Sequence, residues 1–321
     1  MVIDSSVLLR VGDLRKSYQI RNKAGRKSFL RALDGVSFSI TRGETLGIVG
    51  ESGCGKTTLG RTILRLTEPD GGSLVFDGED ITHVKMRKYR SRMQIIFQDP
   101  YGCLDPRCRI VDIVAEGLRV TQPALSSVRR RAEVLRLLES VGLDSGYAYS
   151  YPHELSGGQQ QRVGIARALA VNPEFIVCDE PVSALDVSYQ SQIVNLLIDK
   201  QNRLGLTYLF ISHDLSVVRH ISDRIGVMYM GKLVEYGTGE DVVLNPAHCY
   251  TKALLEAIPV PDPIISHERD RKLVEESADF SIVDRGCRYC RLCEDAMPVC
   301  HEKEPILKEV SPGHLCACHL V

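Results

Sequence analysis

The stretch TLGIVGESGCGKTTLGRTILRL, residues 45–66, constrains the fold of this chain more than any other part of its sequence. An apolar, partly β-branched run at Thr45–Val49 predicts a buried strand, and Thr57–Leu66 predicts a helix. The glycines between them let successive backbone N–H groups turn toward one anion, beside the positive N-terminal end of the helix. Further apolar runs at Phe175–Cys178 and Thr207–Ile211 alternate with helical patterns. The sequence therefore predicts an α/β domain with a parallel core sheet.

Two regions depart from this alternation. The polar insert RNKAGRKS lies between predicted strands at Val7–Tyr18 and Val36–Ile40, and its composition predicts a mobile hairpin or loop. From about Asp112 to Val141 apolar residues recur every three or four positions with several arginines between them, within a region at 112–158. That period predicts a helical insertion in the α/β domain.

The glycine-rich turn matches the phosphate-loop pattern G-x-x-x-x-G-K-[ST]. Lys56 would bring a positive charge to the β- and γ-phosphates of a nucleotide, and Thr57 a hydroxyl to Mg²⁺. Because a helix start lowers the pKa of a nearby thiol, we also expect Cys54 to be reactive and to be protected by Mg-ATP. The predicted nucleotide-binding residues of this loop are Gly50, Glu51, Ser52, Gly53, Cys54, Gly55, Lys56, Thr57 and Thr58.

A second apolar run, FIVC, ends in two carboxylates. As a strand it would deliver Asp179 to its carboxyl end, where the side chain could hold Mg²⁺ directly or through water. Glu180 follows and could polarise the attacking water. A strand that ends in Asp-Glu is common, so the pair indicates a metal and water site only because a phosphate loop precedes it in the sequence.

Three further stretches add to the site. LSGGQQQR places Ser156, Gly157 and Gly158 at a helix start, which is a second anion-binding end. Gln98 in IIFQDP could reach the metal, and His213 in LFISHD could reach a γ-phosphate. A single Gln or His of this kind is usually structural, so the argument depends on their joint occurrence.

The order phosphate loop, Gln98, LSGGQ, Asp-Glu, SALD and His213 resembles that of the nucleotide-binding subunit of ATP-binding cassette (ABC) transporters. The resemblance covers residues 7 to about 256. It implies an ABC-type P-loop ATPase with a parallel core sheet, an antiparallel β subdomain and a helical insertion. The implied ATPase domain is residues 1–258, with a helical subdomain at about 98–160.

The resemblance also implies that two such subunits pair head to tail, with each ATP between one phosphate loop and the partner's LSGGQ. Ser156, Gly157 and Gly158 would then cap the partner's ATP. Tyr18 falls where the family stacks an aromatic ring on adenine. The implied catalytic residues are Glu180, His213 and Gln98. The implied Mg²⁺ ligands are Thr57, Gln98 and Asp179.

Three stretches, GRTILRL, MQIIFQDPY and NPAHCYT, narrow the resemblance to the dipeptide and oligopeptide importer ATPases, and within these to the second of two non-identical subunits. This implies ATP-driven peptide uptake at the cytoplasmic face of the cell membrane. The implied partners are a second, homologous ATPase subunit, two membrane permease subunits and an extracellular or periplasmic solute-binding protein. Related ATPases serve importers of sugars, nickel and glutathione, so those solutes stay open.

Two other classes of function are weaker. A soluble cassette ATPase acting on nucleic acid or ribosomes usually carries two cassettes, long coiled coils or zinc insertions, and the sequence shows none of these. The formal net charge of −1 gives no sign of a nucleic-acid binder. A redox- or metal-sensing regulator is disfavoured by the intact Glu180. We see no signal peptide and no apolar run of about 18 residues, so we expect a peripheral protein.

Six of the eleven cysteines lie in the last 35 residues, which suggests a separate region at 259–321. The peptide-importer subgroup ends in GC-x5-C-x6-C, then Pro-Gly-His and a last Cys, and resemblance to it implies a [4Fe–4S] cluster. The implied ligands are Cys287, Cys293, Cys300 and Cys318. Cys290 and Cys316 are extra, although spacing alone favours a ferredoxin-like run through Cys290, and Zn²⁺ or no metal stays open. We expect this region to be separable from catalysis.

Overall fold

The computed structural model describes residues 6–21, 27–257 and 285–321. The strands are β1 Val7–Arg21, β2 Lys27–Thr41, β3 Thr45–Val49, β4 Gly71–Phe76, β5 Glu79–Asp80, β6 Met93–Ile96, β7 Phe175–Asp179, β8 Thr207–Ile211, β9 Arg224–Tyr229, β10 Lys232–Thr238, β11 Lys308–Ser311 and β12 His314–Cys316. The α-helices are α1 Lys56–Ile63, α2 Pro100–Cys103, α3 Ile110–Thr121, α4 Ser127–Ser140, α5 Gly157–Leu169, α6 Val187–Leu204, α7 Leu215–Ile221, α8 Gly239–Leu244, α9 Cys249–Glu256 and α10 Pro298–Glu302. Short 3₁₀ helices occur at Met86–Lys88, Ser145–Tyr149 and Pro152–Glu154.

An eight-stranded sheet forms the centre of the molecule, in the order β11-β12-β10-β9-β3-β8-β7-β6. Strands β6, β7, β8, β3 and β9 pair in parallel, and β9 pairs with β10 antiparallel. Every residue of β3, β7 and β8 is buried, as expected for strands covered on both faces. The parallel core sheet predicted from these short apolar runs is therefore confirmed.

A second, antiparallel sheet has the order β2-β1-β4-β5. β1 and β2 each have 15 residues and extend well beyond the strands that the sequence predicted. Their far ends carry polar and partly exposed side chains, so the apolar alternation that marks a strand fades there. Most of the insert predicted as a loop, residues 22–26, lies outside the described residues, and Lys27 and Ser28 belong to β2.

The predicted helical insertion is also present. α3, α4 and α5 pack together, and their apolar residues join the main hydrophobic core beside the central sheet. α5 begins at Gly157 with Ser156 as its N-terminal cap, so a helix begins in the LSGGQ stretch, as the sequence predicted. Among the helices of the described residues, none is long and apolar enough to cross a membrane.

The end of the chain adds two strands to the central sheet. β12 pairs with β10 through Glu235–Cys316 and Tyr236–Leu315, and β11 pairs with β12. Tyr289 is 9% exposed and belongs to the main hydrophobic core. Residues 285–321 are therefore joined to the central sheet, although their composition suggested a separate region. The domain boundary predicted after residue 258 lies in the stretch 258–284, which is outside the described residues. It therefore stays a prediction.

Candidate nucleotide-binding site

The predicted site residues lie at one edge of the central sheet. β3, β6, β7 and β8 are parallel neighbours, so their carboxyl ends meet at this edge. The phosphate loop follows β3, Gln98 follows β6, Asp179 ends β7 and His213 follows β8. In parallel sheets, this edge is where ligands bind.

The phosphate loop requires glycine where it turns into α1. Gly55 has a φ of 111° and is the N-terminal cap of that helix. A Cβ atom there would lie 2.2 Å from the carbonyl oxygen of Ala32, so both the backbone conformation and the close approach exclude a side chain. This tight turn leaves the backbone N–H groups at the start of α1 available to an anion.

Lys56 is 4% exposed, and its ammonium group is held by the loop itself. Nζ donates hydrogen bonds to the carbonyl oxygens of Gly50, at 2.7 Å, and Glu51, at 2.9 Å. It also lies 3.8 Å from a carboxylate oxygen of Glu180. These contacts place Lys56, the buried cation of the loop, between the loop backbone and Glu180, the residue that follows β7.

Asp179 and Thr57 meet across the site, because the Thr57 hydroxyl donates a 2.9 Å hydrogen bond to Oδ1 of Asp179. Burial raises the pKa of the Asp179 carboxyl, and the hydrogen bond from Thr57 acts in the opposite direction. A hydroxyl and a carboxylate side by side are oxygen ligands of the kind that Mg²⁺ prefers. These residues are where the sequence predicted the metal.

Glu180 is the point where the remaining predicted side chains converge. It is 8% exposed and has a φ of 45°, which is uncommon for a residue with a side chain and often marks a functional position. Gln98 Nε2 donates a 2.8 Å hydrogen bond to Oε2 of Glu180, and Nδ1 of His213 lies 3.5 Å from the same oxygen. An acid held in this way is suited to orienting a water molecule.

Two predicted elements lie outside this convergence. Tyr18, on β1, is 38% exposed, and the ammonium group of Lys16 lies 5.8 Å from the centre of its ring. Ser156 caps α5: its hydroxyl accepts a hydrogen bond from the Gln159 backbone, and the Gln159 side chain accepts one from the Ser156 N–H. Gly157 begins the helix and Gly158 follows, so the LSGGQ segment presents a helix start of its own.

The expectation that Cys54 is reactive is wrong. Its side chain belongs to a hydrophobic core cluster, where it is 6% exposed. Burial raises the pKa of the Cys54 thiol, and the charge of Lys56 offsets this only in part. The position in the sequence suggested an activated thiol, but burial of the side chain outweighs the effect of the nearby helix start.

We therefore expect Cys54 to be modified more slowly than Cys108, which is only partly buried. The measurement is the rate of alkylation of each cysteine in the folded full-length chain, read by peptide mass spectrometry with and without Mg-ATP. Modification of Cys54 as fast as that of Cys108, or strong protection of Cys54 by Mg-ATP, would contradict this placement.

The cysteines near the end of the chain lie close together. The Cys287 N–H donates a 2.7 Å hydrogen bond to the Cys300 carbonyl oxygen. Burial, followed by the nearby Cys290, Cys300 and Cys318 thiols, raises the pKa of Cys287 to about 11. Nevertheless, the described residues contain no group of three or more His, Cys, Asp or Glu side chains placed to hold a metal ion. The predicted [4Fe–4S] cluster is therefore not shown by this arrangement.

Sequence reasoning missed a polar cluster beside the sheet, centred on Glu235, which is fully buried. The Glu235 carboxyl group accepts hydrogen bonds from the backbone N–H groups of Ala247, at 2.8 Å, and His248, at 2.9 Å. Nε2 of His314 lies 2.7 Å from the same carboxyl group. Ala247 and His248 belong to the NPAHCYT motif, and His314 belongs to Pro-Gly-His. Both motifs served only to narrow the resemblance, so no contact was predicted for these residues.

The fold and this site define the class of the protein: the chain belongs to the ATP-binding proteins of ABC transporters. The family model described as ABC transporter matches residues 33–183. A second family model, described as the C-terminal region of oligopeptide/dipeptide transporters, matches residues 234–300. The resemblance drawn from the order of the motifs is therefore confirmed.

Within that class the chain belongs with the oligopeptide transport ATP-binding proteins. It is 47% identical over 324 residues to the oligopeptide transport ATP-binding protein AppF of Bacillus subtilis (strain 168), a match that covers 99% of this chain and 98% of AppF. It is 51% identical over 293 residues to OppF of the same organism, with 90% of each chain covered.

Solved structures agree with the fold. A dimeric post-hydrolysis state of the ATP-binding cassette MJ0796, bound to ADP and Pi, has a TM-score of 0.65 and 30% identity, and covers 72% of this chain and 99% of that chain. CbiO1 from Clostridium perfringens, part of the ABC transporter complex cbiONQ, has a TM-score of 0.66 and 28% identity, with coverage of 83% and 99%. The predicted ABC ATPase fold is confirmed, and the chain is an ATPase that couples hydrolysis to transport.

Proposed function

We propose that this chain hydrolyses ATP to energise the uptake of di- and oligopeptides through a membrane ABC importer. The observation that carries the proposal is the convergence of Lys56, Gln98 and His213 on Glu180, beside the Thr57–Asp179 pair. The relatives named for oligopeptide transport, which match over nearly the whole chain, supply the solute.

The proposed roles follow from the geometry. Glu180 orients or deprotonates the attacking water, with Gln98 and His213 holding its carboxylate. Thr57, Asp179 and Gln98 would hold Mg²⁺, which neutralises charge developing on the phosphates. The phosphate loop binds the phosphates through backbone N–H groups, and Tyr18 stacks on the adenine ring.

The proposed assembly with other subunits is supported by the helix start at Ser156. Its hydrogen bonds lie within its own helical turn, and Ser156 and Gly157 are exposed, so the turn is accessible to a nucleotide held by another subunit. We propose that a homologous ATPase subunit supplies that nucleotide in a head-to-tail heterodimer. Two permease subunits and a solute-binding protein complete the importer, and they hold the chain at the cytoplasmic face of the membrane.

The surface around Gln98 is the proposed contact with the permease subunits. A cavity of about 420 Å³ opens there. Tyr101, which precedes the lining residue Gly102 in the sequence, is 56% exposed. The cavity is lined by Arg61, Phe97, Gln98, Asp99, Gly102, Cys103 and Asp179. Because Gln98 contacts Glu180 directly, movement at this surface would reach the catalytic carboxylate.

Growth on peptides tests the solute. Cells that need an external amino acid would be supplied with it only as di- or oligopeptides, with the gene for this chain intact, deleted or carrying Glu180→Gln. We expect growth on peptides to require the intact gene, while growth on the free amino acid does not. Normal growth of the deletion strain on peptides, combined with lost uptake of a sugar, nickel or glutathione, would assign another solute.

We further propose that the C-terminal thiols bind a [4Fe–4S] cluster with a structural role, through Cys287, Cys293, Cys300 and Cys318. The support is the chemistry of the donors, since thiolates hold such clusters, and the closeness of Cys287 to Cys300 and Cys318. Binding would draw these thiols together and stabilise the segment.

Iron and sulfide analysis of anaerobically purified protein tests the cluster. We expect Cys318→Ser to lose iron and Cys316→Ser, the matched control two residues away, to keep it. Full iron in the Cys318 variant, or zinc in place of iron in the unaltered protein, would refute this ligand set or this metal.

A further inference from the structure

Tyr250 reaches the phosphate loop from a distant part of the sequence. Its side chain is 1% exposed, and its hydroxyl accepts a 2.9 Å hydrogen bond from the backbone N–H of Glu51, 199 residues away. Glu51 is the second residue of the phosphate loop. A side chain of the NPAHCYT motif therefore holds the peptide at which this loop begins.

The peptide between Gly50 and Glu51 is held from both sides. Its N–H, which belongs to Glu51, donates to Tyr250, and its carbonyl oxygen, which belongs to Gly50, accepts a 2.7 Å hydrogen bond from Lys56. Because a peptide is planar, fixing its N–H also fixes the direction of its carbonyl oxygen. The Tyr250 hydroxyl thereby sets the acceptor that positions the Lys56 ammonium group.

Residues 285–321, called here the C-terminal segment, hold Tyr250 in place. The Tyr250 ring packs against Tyr229, with ring centres 4.5 Å apart, and against Tyr289 of the segment, at 5.4 Å. At the start of its helix, the Tyr250 N–H donates to Nδ1 of His248. The His248 N–H donates in turn to Glu235, the acid that faces His314 of the segment.

The segment also supports the other end of the phosphate loop. The Arg288 guanidinium donates hydrogen bonds to the Met230 carbonyl oxygen and to the Asp34 carboxylate. The next residue, Gly231, donates its N–H to the Cys54 carbonyl oxygen at 2.8 Å, and its own carbonyl accepts from the Asp34 N–H at 3.0 Å. Both ends of the loop thus lie one or two contacts away from the C-terminal segment.

We propose that Tyr250 is a positioning residue of the ATP site, and that the C-terminal segment, through Tyr289 and Arg288, holds the phosphate loop in its nucleotide-binding shape. The Tyr250 hydroxyl contacts the loop backbone at Glu51, so we expect its loss to act on nucleotide affinity more than on the chemical step. Whatever loosens the segment lowers the affinity for ATP.

Tyr250→Phe tests the first half, because it removes the hydroxyl and keeps the buried ring. We expect the Kd for a fluorescent ATP analogue, titrated into the purified full-length chain, to rise roughly two- to tenfold, the size expected of one hydrogen bond. Turnover at saturating ATP in the assembled transporter should stay close to that of the unaltered protein. Tyr149→Phe, at an exposed tyrosine, is the matched control and should leave the Kd unchanged.

Arg288→Gln tests the second half and remains informative if the tyrosine variant folds poorly. We expect it to raise the Kd as well. The double variant should lose less binding free energy than the sum of the two single losses, because both substitutions act on one loop. An unchanged Kd in Tyr250→Phe overturns the positioning role, and strictly additive losses overturn the link to the segment. These measurements are of nucleotide binding, so their failure is distinct from a wrong assignment of the transported solute.

Discussion

Replacing Glu180 with Gln is expected to lower the ATP turnover of this site by roughly 10²- to 10⁴-fold, the usual range for a general base or a water-orienting group. Glutamine has nearly the same size but cannot accept the proton. Binding of ATP should persist, because the phosphate loop holds the phosphates through backbone N–H groups and the Lys56 ammonium. The measurement is ATP hydrolysis by the assembled transporter, beside a nucleotide titration of the same preparation.

Glu139→Gln is the control, since it makes the same chemical change on the exposed face of α4. It should hydrolyse ATP at the normal rate. Near-normal turnover in the Glu180 variant would show that another group orients the water. Loss of ATP binding together with turnover would instead show that Glu180 supports the loop, through its contact with Lys56.

The second large effect is expected at Glu235, and it concerns stability. Glu235→Ala leaves the N–H groups of Ala247 and His248 and the ring of His314 without their shared partner at a fully buried position. Each buried polar group left unpaired costs about 1–3 kcal/mol. We therefore expect the free energy of unfolding to fall by roughly 3 kcal/mol or more, measured by denaturant titration of the full-length chain.

Glu302→Ala, at an exposed position of α10, is the control and should change the free energy of unfolding by less than about 0.5 kcal/mol. The loss of unfolding free energy in Glu235→Gln should lie between those of the two alanine variants. The amide keeps one acceptor oxygen, but its NH₂ group faces another hydrogen-bond donor. A loss below about 1 kcal/mol in Glu235→Ala would contradict the account of Glu235 as the group that joins β10, α9 and β12.

Local sequence picked out the phosphate loop, Gln98, the two acids and His213 as candidates, and their joint order along the chain supplied the roles predicted for them. Each of them follows a short apolar strand, and a parallel sheet brings the ends of such strands to one edge whatever their separation in the chain. The same reasoning predicted the parallel sheet and the helical insertion. Periodicity was sufficient because each strand or helix is marked by residues that are neighbours in the sequence. The parallel pairing of the strands then brings their ends together.

The features that were missed or wrong depend on distant contacts. Tyr250 meets Glu51 across 199 residues, and His314 meets Glu235 across 79. No periodicity links such pairs. Cys54 was mispredicted because its place in the loop is a property of the sequence, whereas the burial of its side chain depends on the core that surrounds it. The resemblance likewise implied a ligand set for the C-terminal cysteines but not the pairing of β12 with β10.

The central claim is that hydrolysis at Glu180 drives peptide uptake, and one measurement addresses it directly. Proteoliposomes that contain the assembled importer, with its solute-binding protein outside and ATP inside, would be assayed together for ATP hydrolysis and for uptake of a labelled oligopeptide. The account predicts that the peptide stimulates hydrolysis and accumulates, and that Glu180→Gln abolishes accumulation. Hydrolysis that is indifferent to peptide, or accumulation that continues in the Glu180 variant, would contradict it.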